Sequence, residues 1–399
     1  MARAQRIGPA DRLIKSPSVA LAPSSDGYFA YELHSARVHQ LNPAAALILE
    51  LSDGTRTTEA LVTELEVLFG SDGQAACRQW IEHAQQEGLL KILRPRARIR
   101  KALSANEFGG RASELLKTGA LFPAFVCQHY TAQLLPEDAE QWRRLGALAR
   151  RLGRLDDMRY AYERYAQLEP LDAEIEHILS SLRNEPPPAR ASDRCIKQLF
   201  ARFASSYNDI MVERLAYKAP AHLAEALAAE VRAAADLDVV ELGCGTGLAG
   251  RHMRPFARHL VGMDLSPEMI ERAEQTGLYD QLAVAEITAW LLQPDAPTFD
   301  LIVACDTLNY FGDLRQVVLA AAKRLRRRGR LAFTVEHAEF HPFRLTDSGR
   351  YTHSELHIRE VAKEAGLVVS RISVALLRYE LGAAVSGLVA ILRTPAPET

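Results

Sequence analysis

The stretch Val239-Val240-Glu241-Leu242-Gly243-Cys244-Gly245-Thr246-Gly247 decides the fold of the C-terminal half. Val239, Val240 and Leu242 make an apolar strand that runs straight into three glycines at alternate positions. Glycines at a strand end let the chain turn sharply and let a ligand approach bare backbone. A helix is expected next, through Leu248, Ala249, His252 and Met253. Strand, glycine loop and helix together form one entry to a nucleotide-type site. The spacing narrows the choice of ligand. A dinucleotide fingerprint needs a third glycine at position 248. That position is Leu, and the third glycine comes one residue early.

Working outward, three more strand ends carry acids. Val261-Gly262-Met263-Asp264 is an apolar run that closes on a carboxylate able to accept both hydroxyls of a ribose. Leu282-Ala283-Val284-Ala285-Glu286 is expected as a third strand, and Phe299 to Asp306 as a fourth. All four lie at carboxyl ends of strands, where open α/β sheets bind ligands. The shortened glycine loop and these spaced acids favour S-adenosylmethionine (SAM), which has no pyrophosphate for a helix N-terminus to hold. Glu241 lies near enough to the loop to meet a methionine ammonium.

With these motifs, residues 195–395 resemble the class I SAM-dependent methyltransferases. The resemblance implies a Rossmann-like domain over 193–396 with a seven-stranded sheet and an antiparallel last hairpin. Leu331–Glu336, Val368–Arg378 and Ala384–Arg393 fit strands five to seven. It implies SAM contacts at Glu241, Gly243, Cys244, Gly245, Gly247, Asp264, Leu265 and Met269. It adds Glu286 facing the adenine amino group, with Ile287, Asp306 and Tyr207. Leu199 to Tyr207 and Ser348 to Ser354 look like a subgroup of tetratricopeptide-linked methyltransferases.

A sulfonium already activates its methyl group, so the protein must orient an acceptor and exclude water. Candidates for that work follow strands four and five: Asp306, Asn309, Tyr310, Glu336, His337, His341, Arg350, Tyr351 and His353. Tyr310, Arg350, Tyr351 and His353 are taken as the catalytic set. Phe203 and Tyr207 sit four residues apart on an expected helix whose face can cover the site. No Asn/Asp-Pro-Pro-Tyr motif is present, which disfavours exocyclic base amines and glutamine amides as acceptors. The basic run Lys323 to Arg330 is expected at a helix end, where cations complement the dipole.

Upstream, residues 17–93 read as a β-hairpin and three helices. Ser24 to Gly27 turn the hairpin, Pro43 opens the first helix, and Leu61 and Leu65 share a face of the second. The third runs from Ala75 through Trp80 to Gly88. Val38 to Asn42, Ala46 to Gly54 and Glu87 to Leu90 make this module resemble the PqqD-like fold of pathways that modify ribosomally made peptides. That resemblance implies a leader peptide added as a strand at a sheet edge. A winged-helix-like structural module is the alternative. Residues 103–184 read as helical, with Pro136 and Pro170 at the period of a tetratricopeptide repeat. Arg94 to Lys101 is a basic connector, and Asn184 to Arg190 a proline-rich linker.

The whole chain, 399 residues with net charge −2, is therefore expected to be a multidomain α+β and α/β protein. The charge gives no bulk drive toward nucleic acid or membrane. Five scattered cysteines make no metal-ligand pattern and suit a cytoplasmic protein. The expected activity is SAM-dependent methylation of a precursor peptide held by its leader. Other peptide-modifying enzymes of the same pathway are further expected partners. The competing readings are a small-molecule or nucleic-acid methyltransferase with docking domains upstream, and a non-catalytic scaffold.

Overall fold

The computed structural model describes residues 7–69, 73–93, 104–183, 186–231 and 235–395. The connector at 94–101, part of the linker at 184–190, and the expected boundaries at 103, 184 and 396 lie outside them. The chain forms two compact units, Met1–Pro170 and Leu171–Thr399.

The first unit begins with β1 (Arg12–Lys15), β2 (Val19–Ser24), β3 (Gly27–Glu32) and β4 (Arg37–Leu41). Then come α1 (Pro43–Leu51), β5 (Asp53–Thr57), α2 (Thr58–Phe69), α3 (Gly73–Gln86) and β6 (Leu90–Leu93). The expected hairpin is a three-stranded antiparallel sheet, β2-β3-β4. A second sheet, β5-β1-β6, was not anticipated. Its central strand precedes residue 17 and pairs with β6 from Arg12↔Leu93 to Lys15↔Leu90. Asn42 caps α1 through Ala45 N–H at 2.8 Å, and Pro43 follows where its missing N–H costs nothing. Leu21, Ala30, Ile48, Leu49, Leu61, Leu65 and Ile81 fill the core between sheets and helices.

Four helices complete this unit: α4 (Ala105–Lys117), α5 (Leu121–Leu134), α6 (Ala139–Arg151) and α7 (Leu155–Leu168). They form two successive helix pairs. Gly146 is required where α6 meets α7, because a Cβ there would enter the Tyr162 ring. The pairs do not stand alone, since α5 packs against β2 and β3. Arg154 fastens this contact. It bonds Asp157 at 2.6 Å and Asp26 at 2.9 Å, and its guanidinium lies 5.5–5.6 Å from the rings of Phe29, Phe122 and Phe125. Helix α5 thus covers β2 and β3, while β4 pairs with no further strand on its outer edge among the described residues.

The second unit opens with α8 (Ala173–Leu182), expected with the helical region but packed here against α9 (Asp193–Phe203). After a short α10 (Tyr207–Asp209) and a π-helical turn come α11 (Ala219–Ala228), β7 (Leu237–Leu242) and a four-residue α12 (Gly250–Met253). The next elements are β8 (Ala257–Asp264), α13 (Pro267–Gln275), β9 (Gln281–Val284), α14 (Ile287–Leu291), β10 (Phe299–Ala304) and α15 (Arg315–Ala322). The chain closes with β11 (Leu325–His337), β12 (Phe343–Leu345), β13 (Tyr351–His353), α16 (Glu355–Glu364), β14 (Val368–Glu380) and β15 (Ala383–Arg393).

These strands form one sheet in the order β9-β8-β7-β10-β11-β15-β14, parallel up to β11 and antiparallel beyond it. Nine strands, not seven, belong to it among the described residues, because the β12–β13 hairpin also joins. Glu336 pairs with Gly387 on one edge of β11 and with Thr352 on the other, so β13 continues the edge that β10 leaves. Strand alternation sends Val240, Ile302 and Phe333 to one face, covered by α14–α16. Val239, Val303 and Ala332 go to the other, covered by α11. This buries the sheet on both faces and leaves its strand ends to build a site.

Candidate active site

Gly243, Gly245 and Gly247 all adopt left-handed backbone angles, with φ of 69°, 55° and 90°. At Gly243 a Cβ would overlap the Thr307 side chain, whose hydroxyl donates to Gly243 O at 3.2 Å. At Gly245 nothing lies within 4 Å of where a Cβ would stand. Bare backbone there faces open space, a cavity of about 650 Å³.

That cavity gathers many of the expected residues: Gly243, Gly245, Asp264, Leu265, Glu286, Ile287, Asp306, Tyr207 and Tyr310. Asp264 Oδ2 accepts from Gly245 N–H and Oδ1 from Ser266 N–H, each at 2.9 Å. Each oxygen keeps a lone pair for a hydroxyl. Burial raises the Asp264 carboxyl above its usual range against the pull of those N–H groups. Glu286 caps α14 through Ala289 N–H at 2.6 Å and stands at the cavity wall two residues beyond the end of β9, which stops at Val284 before the expected strand does.

Other expected residues lie behind this wall. Glu241 is buried under the loop, and its Oε2 accepts from the Tyr279 hydroxyl at 2.8 Å. Burial pushes its carboxyl up to about 8, against the Tyr279 hydrogen bond. Cys244 donates its N–H to Met263 O at 2.8 Å, and Met269 is fully buried. Gly247 lies beside Tyr279 and Thr276.

A second cavity of about 670 Å³ adjoins the first. Phe200, Tyr207, Asp306 and Tyr310 line both and so form their common wall. Phe200 meets Tyr310 edge-on at 5.6 Å between centroids and Tyr207 at 6.1 Å. The expected single helix carrying Phe203 and Tyr207 is broken: α9 ends at Phe203, and Tyr207 starts a new turn. Phe203 reaches only the second cavity.

A buried ion cluster built on Asp306 borders the second cavity. Asp306 has a left-handed φ of 56°, a strained angle for a residue with a Cβ. Its N–H donates to Thr334 Oγ1 at 2.8 Å. Its carboxylate accepts from Asn309 Nδ2 and from Arg378 Nη1, which is 2.9 Å from Oδ2. Arg378 also bonds Glu336 and lies 3.5 Å from Glu380. Arg350 bonds Glu336 at 2.7 Å and Glu380. Asn309 completes the frame by accepting Glu336 N–H at 2.8 Å.

Arg350 and Tyr310 thus both line the second cavity. Tyr351 and His353 do not. Tyr351 is wholly buried, with its hydroxyl on Pro188 O and its ring near His177. His353 Nε2 lies 2.9 Å from the carbonyls of Phe311 and Gly312, and burial holds its imidazole down to about 4. Neither lines a cavity. His353 fixes the loop that carries Tyr310, and Tyr351 holds the segment at Pro188. Sequence reasoning missed Arg378, Glu380, Thr334 and Phe200, as well as Arg190, which lines the first cavity.

The basic run begins at a helix end, where Lys323 is the C-cap of α15, but most of it lies in β11, which starts at Leu325. Arg324 donates to the carbonyls of Leu291, Gln293 and Ala296, Arg326 pairs with Asp238 and Asp300, and Arg330 pairs with Glu230. All five cysteines are free and buried. Among the described residues no helix is long and apolar enough to cross a membrane, and no cluster of three His, Cys, Asp or Glu side chains is placed to hold a metal.

Comparison with known proteins agrees with this geometry. Residues 240–331 match the family model of a methyltransferase domain, and residues 27–90 match that of coenzyme PQQ synthesis protein D (PqqD). The human methyltransferase-like protein 27 is 35% identical over 115 residues, 28% of this chain and 45% of its own length. The malonyl-[acyl-carrier protein] O-methyltransferase of Salmonella typhimurium is 29% identical over 146 residues, 37% of this chain and 55% of its own. The chain spans about half the length of these curated relatives. Among the solved structures to which the chain is similar is the N-methyltransferase NodS of Bradyrhizobium japonicum with S-adenosyl-L-homocysteine. It has 20% identity and a TM-score of 0.40, and the match covers 50% of this chain and 98% of that one.

Proposed function

We propose that this chain, a SAM-type methyltransferase domain joined to a PqqD-like module, methylates a ribosomally made peptide that the module holds by its leader. The observation that carries the catalytic half is the pair of cavities meeting at Phe200, Tyr207, Asp306 and Tyr310. One has the glycine loop and a carboxylate with free lone pairs; the other has room for an acceptor. The lining of the first cavity fits SAM in its donor set. Asp264 would take the ribose hydroxyls, Glu286 and Ile287 the adenine side, and Arg190 the methionine carboxylate. When bound, SAM supplies an electrophilic methyl group. The protein contributes orientation and dryness. Tyr207, Tyr310 and Phe200 exclude water from the junction, and Asp306 offers one free lone pair on Oδ2 to a hydrogen on the acceptor.

The recruitment half rests on the open edge of β4 and on the groove between α1 and α3. Asn42, Ala45, Ile48, Cys77, Trp80 and His83 line that groove. A leader paired to Arg37–Leu41 would lay its side chains over these residues. Tethering then raises the effective concentration of the core peptide. The tetratricopeptide-like helix pairs serve to brace the module through Arg154.

A nucleic-acid substrate is disfavoured because Arg324, Arg326 and Arg330 are committed to internal partners. The test is co-expression with a short precursor peptide encoded beside this gene, followed by intact-mass analysis. A gain of one methyl group, lost when residues 7–93 are deleted, supports the proposal. Full modification of a leaderless core removes the recruitment half.

A further inference from the structure

We infer that Asn208 is a positioning residue whose bond to Thr246 ties the wall of the second cavity to the glycine loop, so that a bound cofactor sets the shape of the acceptor site. The inference rests on the methyltransferase reading of the first cavity and adds a coupling between the two cavities. Thr246 Oγ1 donates to Asn208 Oδ1 at 2.5 Å. Thr246 is buried inside the loop, between Gly245 and Gly247. Asn208 directly follows Tyr207, which lines both cavities.

The segment that carries Asn208 builds much of the acceptor site. Tyr207, Ile210, Met211 and Leu215 all line the second cavity. Regular helix does not hold them in place. Helix α9 has ended at Phe203, α10 is three residues long, and Ile210–Arg214 is a π-helical turn, a rare form that recurs at functional sites. Downstream, Tyr379 N–H donates to Leu215 O at 2.7 Å, and Lys218 N–H to Leu377 O at 2.8 Å. Ala216 lies between them with a left-handed φ of 47°, a strained angle that such bracing maintains. Upstream of the π-helical turn, Asn208 ties the segment to Thr246.

The other end of that tie is a loop whose freedom a ligand removes. Glycines at 243, 245 and 247 leave its backbone more conformations than side-chain-bearing residues would. Gly243 and Gly245 line the first cavity, so a cofactor packed on their backbone restricts the loop. Thr246 adjoins Gly245, and the direction of its hydroxyl follows that backbone. The bond then passes the restriction to Asn208 and on to Tyr207. The acceptor site is therefore set after the cofactor is in place, which orders the two binding events. By linkage, the same wall holds the cofactor in return.

The experiment is hydrogen–deuterium exchange of the full chain with and without saturating S-adenosylhomocysteine. In wild type the ligand should slow exchange of the amides from Asn208 to Tyr217 on the order of fivefold, the contribution of about one hydrogen bond. Thr246→Val keeps the shape of the side chain and removes the donor. Asn208→Leu removes the acceptor at an exposed position. Both variants should still bind S-adenosylhomocysteine and lose that slowing. Thr246→Ser keeps the hydroxyl and should retain it. A bond with a structural role alone would speed exchange equally with and without ligand, so a wild-type ratio in Thr246→Val and Asn208→Leu overturns the inference. So does a wild-type segment whose exchange the ligand leaves unchanged. Failure of the wild-type chain to bind S-adenosylhomocysteine overturns instead the methyltransferase reading beneath it.

Discussion

Arg378, on β14, holds Asp306, at the end of β10, with Nη1 lying 2.9 Å from Oδ2 and 3.2 Å from Oδ1. Arg378 is 2% exposed, so this is a buried pair, and its other Nη group serves Glu336 and Glu380. Removing one partner of such a pair leaves charge stranded in the interior. Arg378→Met is therefore expected to cost about 3 kcal/mol of stability and to abolish transfer. Arg378→Lys keeps the charge but loses the planar fork, so it should fold better yet still misplace Asp306. Thermal melts and single-turnover transfer on both variants check this. Wild-type transfer in Arg378→Met would show that Asp306 needs no such support.

Asp264 tests the first cavity by itself. Asp264→Ala removes both free carboxylate lone pairs from the first cavity. A charge-assisted hydrogen bond contributes about 1.5–3 kcal/mol, so SAM affinity should fall roughly 10- to 100-fold. Calorimetry with SAM reads the effect.

The three glycines are not equivalent. Gly245→Ala meets no neighbour, so its structural cost is the left-handed φ alone, about 1–2 kcal/mol. Its effect on SAM should be larger, because the new methyl group enters the cavity. Gly243→Ala carries the same φ cost and also strikes Thr307, so it should lower the melting temperature well beyond Gly245→Ala. Equal melting temperatures for the two would contradict the packing at Thr307.

Glu241 makes a pH-dependent contribution whose sign is fixed by its environment. Burial raises its carboxyl from 4.5 to about 8 in the folded chain. Below 4.5 both folded and unfolded forms hold the proton, and nothing depends on pH. Between 4.5 and about 8 only the unfolded chain releases it, so stability falls as pH rises through that window. Glu241→Gln cannot ionise and still accepts from Tyr279. At pH 8 it should be more stable than wild type by on the order of 2 kcal/mol, with a flatter profile of melting temperature against pH. A variant that melts lower across the whole window would overturn this assignment.

The parts of the molecule that could be read from sequence are those whose signal is local. Val239–Gly247 announces a strand and its turn because apolar residues meet glycines that only a left-handed backbone requires. Asp264 follows from the same logic one strand later. Strand β1 escaped because Arg12–Lys15 has no alternation to declare it and pairs only with strands distant in sequence, β5 and β6. Arg378 escaped for a sharper reason. An arginine in a late strand reads as solvent-facing, but the register shift between Leu376 and Arg378 breaks the alternation and turns it inward. Tyr351 and His353 show the converse. Their crowding beside Gly349 suggested a site, whereas their polar atoms meet the backbone carbonyls of Pro188, Phe311 and Gly312.

Trp80 offers the cleanest access to the recruitment half. It lines the groove between α1 and α3 beside Ala45, Ile48 and Cys77, and it belongs to the same unit as the open β4 edge. A peptide strand paired to Arg37–Leu41 gains most of its affinity from main-chain bonds and its anchoring from an aromatic wall. Truncating an interface tryptophan typically costs 2 kcal/mol or more, about 30-fold in affinity. Trp80→Ala is therefore expected to raise KM for the full-length precursor by about that factor, with kcat and SAM affinity nearly unchanged. On a leaderless core the variant and wild type should be indistinguishable. Because catalysis lies in the other unit, a fall in kcat with KM constant would mean that this groove does something other than hold the leader.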